Sequence, residues 1–144
     1  MCTELKISIA VVGSYSAVVL LEDNQIIKHS VEKCFDTTDG YTNLMNTFSR
    51  GVLLAAKHLE SANCVYVNFE IPDKTFVTWL NQQYAQAPYV ESFHNCVLTL
   101  QSLPYRYVST YANPTVAISY AKATYLEKPV LSSGLAFFDT IEET

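Results

Sequence analysis

Residues 5–34 read LKISIAVVGSYSAVVLLEDNQIIKHSVEKC, and the turn residues inside this stretch decide the fold. Residues 5–12 form a short apolar run rich in β-branched side chains, ended by Gly13 and Ser14, as a buried strand would be. Residues 16–21 repeat that character. Glu22, Asp23, Asn24 and Gln25 make a polar turn. Residues 26–34 then alternate, with Ile27, His29, Val31 and Lys33 on one side of the pleat. Three strands this close together, joined by short turns, predict an antiparallel meander.

The remaining elements follow from the same two periods. A loop containing Asp36, Thr37, Thr38, Asp39 and Gly40 interrupts the strands. Over residues 42–59, Leu44, Phe48, Val52, Ala55 and Leu59 recur at three- and four-residue steps, which predicts an amphipathic helix. Gly51 lies in its middle and lowers local propensity by about 1 kcal/mol, so it marks a close packing contact. Residues 64–69 are apolar almost throughout and read as a central strand buried on both sides. Pro72 and Asp73 open a helix to about residue 84, with Phe76, Val77 and Leu80 inward. A break at Ala87-Pro88 precedes another helix over 89–103. Residues 105–111 alternate strictly, with Tyr105, Tyr107, Ser109 and Tyr111 on one face of an edge or near-edge strand. Asn113-Pro114 is a helix start, Asn capping and Pro at the first position. Val116, Tyr120, Ala123 and Leu126 are expected to line that last helix inward.

Composition limits the function. The chain has 144 residues, a net charge of −5 and only 16% charged residues, with nearly half its side chains hydrophobic. It can bury one domain's core. Its nine Lys and Arg are scattered, which disfavours nonspecific nucleic-acid binding without removing a small local patch. No apolar run approaches the roughly 18 residues of a membrane span, and residues 1–6 lack a signal-peptide pattern. Cys2, Cys34, Cys64 and Cys96 have no zinc-site spacing. They read as free, buried thiols in a reducing cytoplasm. His29, His58 and His94 are far apart and read as structural, and there is no nucleophile elbow or phosphate-binding glycine loop.

The segment order, β-β-β-α-β-α-β-α with extra helical material before the last strand, resembles ribonuclease H and its structural superfamily. Short words carry the resemblance. Val12-Gly13-Ser14 is similar to the Asp-Gly-Ser that ends the family's first strand. Thr37-Thr38-Asp39-Gly40 sits at its Thr- and Asn-rich loop, and Ala117-Ile118-Ser119-Tyr120-Ala121 resembles the Ala-Asp-x-Leu-Ala of its last helix. The resemblance implies an α/β fold with a ribonuclease H-like mixed five-stranded sheet, the three-strand antiparallel meander plus two further strands, flanked by helices. That domain would occupy residues 1–128, with a C-terminal tail at 129–144.

The family's chemistry needs about four carboxylates around two hard divalent cations. At the matching positions this chain has Val12, then Phe48 (or Ser49 or Asn43), and Ile118 (or Ala117). The expected result is a pocket lined by valine, phenylalanine and isoleucine, with Glu70 at the end of the central strand as the residual acid. The resemblance thus implies the scaffold without a metal site, a cofactor or catalytic residues. Glu70 reads most simply as a strand-end acid, Asp73 as a helix-start acid, and Asp36 and Asp39 as turn residues.

Function then has to lie in surfaces. Tyr105, Tyr107 and Tyr111 suit a protein interface or stacking on single-stranded bases, or they pack under the C-terminal helix. Phe137 and Phe138, set among acids in the tail, suit docking to a partner or to a second copy as a homodimer. The leading expectation is a catalytically inactive domain acting by protein–protein contact, in the style of a viral or mobile-element accessory factor. The alternatives are a nucleic-acid-binding module with a basic strip of Lys6, Arg50, Lys57 and Arg106, and an enzyme with an atypical acid set of Glu70, Asp73 and Asp36.

Overall fold

The structure is a computed structural model that describes residues 2–34 and 39–127. The meander forms as expected. Strand β1 (Cys2–Val12) pairs antiparallel with β2 (Tyr15–Glu22), which pairs antiparallel with β3 (Gln25–Lys33). Gly13 takes the positive φ of the first turn, at 61°. Asp23 and Asn24 take positive φ at the second, 47° and 71°, the two-residue arrangement whose twist matches a hairpin. Asp23 also locks that corner, because its carboxylate accepts from the backbone N–H groups of Thr3 and Glu4. Those bonds hold its carboxyl below the ordinary range.

Helix α1 (Gly40–Leu59) follows, capped by the Asp39 side chain, and leads to β4 (Cys64–Ile71), which runs parallel to β1. Helices α2 (Lys74–Gln82) and α3 (Val90–Gln101) precede β5 (Tyr107–Tyr111), parallel to β4 at the sheet edge. Helix α4 (Thr115–Glu127) comes last. The five strands lie in the order β3-β2-β1-β4-β5, a mixed sheet with helices on both faces. The tail at 129–144, with Phe137 and Phe138, and Asp36 lie outside the described residues.

One face of the sheet holds the larger core. Leu5, Ile7 and Ile9 of β1 meet Val67, Phe69 and Ile71 of β4 beneath α1, α2 and α3. Phe48 sits at its centre, 4.9 Å from the Phe69 ring and 5.4 Å from Phe76, with Trp79 and Phe93 adjoining. The expected α1 stripe is buried throughout. Gly51 is where the helix touches the sheet: a Cβ there would stand 3.0 Å from the Ile7 Cγ2 methyl.

The other face carries a smaller core under α4, built from Ala10, Val12, Tyr15, Ala17, Val19 and Leu21. Here the inward set of α4 differs from expectation. Ala117 and Ala121 are buried, Val116 and Tyr120 only partly so, and Ala123 is exposed. The small residues let the helix lie close on Ala10 and Ala17, so position on the sheet, not side-chain size, chooses the buried stripe. Tyr120 reaches sideways and stacks on His29 of β3, with 4.2 Å between ring centroids.

Two further expectations are corrected. β4 is not buried on both sides: Tyr66, Asn68 and Glu70 are half-exposed, because α4 lies over β1 and β2 and leaves that part of the sheet open. The cysteines are not all free thiols either. Cys2 and Cys64 form a disulfide across 62 residues of sequence, while Cys34 and Cys96 remain thiols. The parallel register places Cys2 directly opposite Cys64, a pairing that no local spacing signals.

Candidate functional site

The open part of the sheet is built by strand alternation. Leu5 and Ile7 point into the larger core, so Glu4, Lys6 and Ser8 point to the opposite face. Tyr66, Asn68 and Glu70 of β4 and Val108 and Thr110 of β5 join them through the parallel registers. The result is a polar surface crossing three strands.

Two hydrogen-bonded groups organise it. Around Glu70, the Ser8 hydroxyl donates to Oε1 at 2.8 Å, and Lys6 Nζ stands 3.9 Å from Oε2 while donating to Asn24 at 3.0 Å. Around Glu4, the Tyr66 hydroxyl and Asn68 Nδ2 both donate to Oε2, at 3.2 and 3.1 Å. Thr110 extends this chain by donating to Asn68 Oδ1. Partial burial, then the bond to Glu4, raises the Tyr66 phenol above its ordinary pKa. Glu4, Tyr66, Asn68 and Thr110 were not singled out from the sequence. The signal was present in the alternation of Tyr66, Asn68 and Glu70, masked by the apolar residues between them.

The residues at the expected acid positions do not line one pocket. Val12 and Ile118 belong to the core under α4, whereas Phe48 lies in the aromatic core across the sheet. The other acids have separate duties. Asp39 and Asp73 cap α1 and α2, Glu32 pairs with Arg50 at 3.6 Å, and Glu22 meets His58 at 2.6 Å. Glu4 and Glu70 share a face but stand four residues apart in register, roughly 13 Å along the strand. Each carboxylate is held by its own partners, Glu4 by Tyr66 and Asn68 and Glu70 by Ser8 and Lys6.

The expected basic strip does not form either. Lys6 faces the open surface, whereas Arg50 projects from α1 on the other side. Its guanidinium donates to Ser16 Oγ at 2.7 Å and to the Ser16 and Ser30 carbonyls. Lys57 is exposed on α1 and Arg106 just before β5. Burial pushes both free thiols, Cys34 and Cys96, up in pKa.

The strand tyrosines divide. Tyr105 and Tyr107 are half-buried against the larger core, Tyr107 at 6.4 Å from the Phe69 ring. They lie across the sheet from α4, so they do not pack under the C-terminal helix. Tyr111 is 54% exposed, with Lys74 Nζ 5.2 Å from its ring centroid, an aromatic–cation pair at the sheet edge. Val108, 48% exposed, points the other way, to the open face.

Solved ribonucleases H share this architecture. RNase H1 from the halophilic archaeon Halobacterium salinarum superposes with a TM-score of 0.64 over 83% of this chain and 92% of its own, at 10% identity. LC11-RNase H1, isolated from compost, in complex with an RNA/DNA hybrid gives 0.64 over 81% and 88%, also at 10% identity. The N-terminal RNase H domain of a Mycobacterium tuberculosis protein gives 0.59 over 90% and 99%, at 14% identity. The fold is therefore ribonuclease H-like, and at these identities the likeness extends to the fold alone. No protein-family model and no curated protein matches the sequence. No helix among the described residues is long and apolar enough to cross a membrane.

Proposed function

We propose that this chain is a non-catalytic ribonuclease H-like domain that works through protein–protein contact, as an accessory factor of a virus or mobile element acting in the cytoplasm. One observation supports the reading: Glu70, the one acid at a position that the resemblance matches, accepts from Ser8 and stands beside Lys6, and it belongs to no group of three potential metal-ligating side chains among the described residues. A lysine beside a lone carboxylate neutralises the charge that a hard cation would need.

The surface that fits a partner is the β5 edge with the open face beside it. Along that edge Tyr111, on the α2 side, and Val108, on the open face, supply exposed apolar area, and Tyr66, Asn68 and Thr110 of the open face supply hydrogen-bonding groups. That mixture of aromatic anchor and polar surround is what interfaces use. Tyr105 and Tyr107 support the strand from beneath, and the tail residues Phe137 and Phe138 add a second docking element for a partner or for a second copy.

Affinity capture from the native cell extract, repeated with Val108→Asp and Tyr111→Asp, tests the surface. Both variants should lose the captured partner by tenfold or more while keeping the wild-type melting temperature. Undiminished capture by both would remove this surface from the account. Titration with an RNA/DNA hybrid at low salt tests the competing reading, a nucleic-acid module. Tight binding that weakens steeply with salt would favour that module.

A further inference from the structure

At the end of the sheet remote from Glu70, β1, β2, β4 and α1 bring together side chains that the reading above does not use. Cys2 opens β1 and Cys64 opens β4, directly opposite each other with 4.4 Å between Cα atoms. The Glu22 carboxylate, at the end of β2, lies with both sulfurs inside a 4.8 Å cluster. This is the one group of three potential metal-ligating side chains among the described residues. His58, in the last turn of α1, holds Glu22 through Nε2–Oε2 at 2.6 Å. A groove of about 500 Å³, lined by Cys2, Glu22, Gln25, Ile27 and Asn63, opens the cluster to solvent.

We propose that the reduced Cys2–Cys64 pair, together with Glu22, is a redox-gated binding site for a thiophilic divalent cation such as Zn²⁺, with His58 as the residue that positions Glu22.

The donor set selects the metal class. Two thiolates favour Zn²⁺ or other borderline and soft ions over Mg²⁺ or Ca²⁺. One oxygen of Glu22 is taken by His58, and a carboxylate has a second to offer; an imidazole that orients a ligating group is the usual outer-shell arrangement. Asp23, although it lines the same groove, is committed to the Thr3 and Glu4 amides. Water from the groove completes a four-coordinate site. Zinc–sulfur bonds of about 2.3 Å in a tetrahedron set the sulfurs roughly 3.8 Å apart, which side-chain rotation achieves once the S–S bond is gone.

The gate is chemical. A dithiol reductant gives two electrons and two protons to the pair, the Cys2–Cys64 bond breaks, two thiols form and the reductant becomes a disulfide. On metal binding each thiol releases its proton to solvent, and no electron moves. The oxidised pair has no thiolate to offer. A dithiol reductant keeps the site open to metal; a small-molecule disulfide takes two electrons from the thiolate pair, becomes two thiols, and the re-formed Cys2–Cys64 bond expels the ion. This site is independent of the partner surface proposed above.

The test uses the full chain, reduced with a phosphine, desalted under argon and titrated with Co²⁺. We expect about one Co²⁺ per chain, with a near-ultraviolet thiolate-to-cobalt band and visible bands of tetrahedral intensity, both abolished by Zn²⁺. Oxidised protein should show neither. Glu22→Gln should weaken binding, and His58→Gln should weaken it roughly tenfold while leaving the thiolate band. Absence of a thiolate band in the reduced wild-type protein would overturn the proposal without recourse to any variant. So would wild-type Co²⁺ uptake by Cys64→Ser. Unchanged affinity in Glu22→Gln would overturn the role of Glu22.

Discussion

Gly51 shows how one residue sets the distance between a helix and a sheet. A methyl group there meets Ile7 Cγ2 at 3.0 Å and Val18 and Ile9 at 3.5 Å, and all three neighbours are fully buried. None can move aside cheaply in a close-packed core. Gly51→Val is expected to cost about 3 kcal/mol by overpacking, against a smaller gain in helix propensity. Urea unfolding reads this directly, and an unchanged midpoint would show that α1 does not sit where described. Asp39 makes the corresponding point for polar groups. Burial would raise its carboxyl, but hydrogen bonds from Thr42, Tyr89 and the Tyr41 and Thr42 amides outweigh that and hold it below its ordinary value. A depressed carboxyl contributes stability that is present above the unfolded-state pKa, about 4, and is lost as the pH falls through the lower folded-state value. Asp39→Asn should therefore flatten the acid limb of the stability–pH curve below roughly pH 4 relative to wild type.

Among the elements, α4 is the one held by the smallest side chains. Ala117 and Ala121 lie on Ala10 and Ala17, and that core is separated from the larger one by the sheet. Its loss should be local. Ala121→Leu is expected to lift α4, raising amide exchange across Thr115–Glu127 while β1, β4 and α1 stay protected. Exchange that rises equally everywhere would mean a single cooperative unit. The same element marks where sequence reading stops. Turns at Gly13 and Asp23-Asn24, the α1 stripe and the Asn113-Pro114 helix start are local signals, and the elements they predict all formed, with boundaries shifted by one to three residues. Which strands α4 covers is not local. It follows from the register of β1 between β2 and β4, and it decides that Tyr66, Asn68 and Glu70 face an open surface. The Cys2–Cys64 pairing has the same origin. Residues 2 and 64 meet only because two strands run parallel in one register.

At the scale of the whole molecule, the fold is ribonuclease H-like while its acids are dispersed. Glu4 and Glu70 stand far apart on one face, Glu22 meets His58, Glu32 meets Arg50, and Asp39 and Asp73 cap helices. The resemblance read from segment order extends to sheet order and to the solved structures. The pocket of hydrophobic replacements imagined for the site does not exist as one place, because Val12 and Phe48 lie across the sheet from each other. Sequence position alone does not say which side of a sheet a helix residue meets. The charge that remains on the central strand is balanced locally by Lys6. The most direct measurement is incubation of the pure protein with an RNA/DNA hybrid and Mg²⁺ or Mn²⁺. The expected result is an intact hybrid at every metal concentration; reproducible cleavage that disappears in Glu70→Ala would contradict the account.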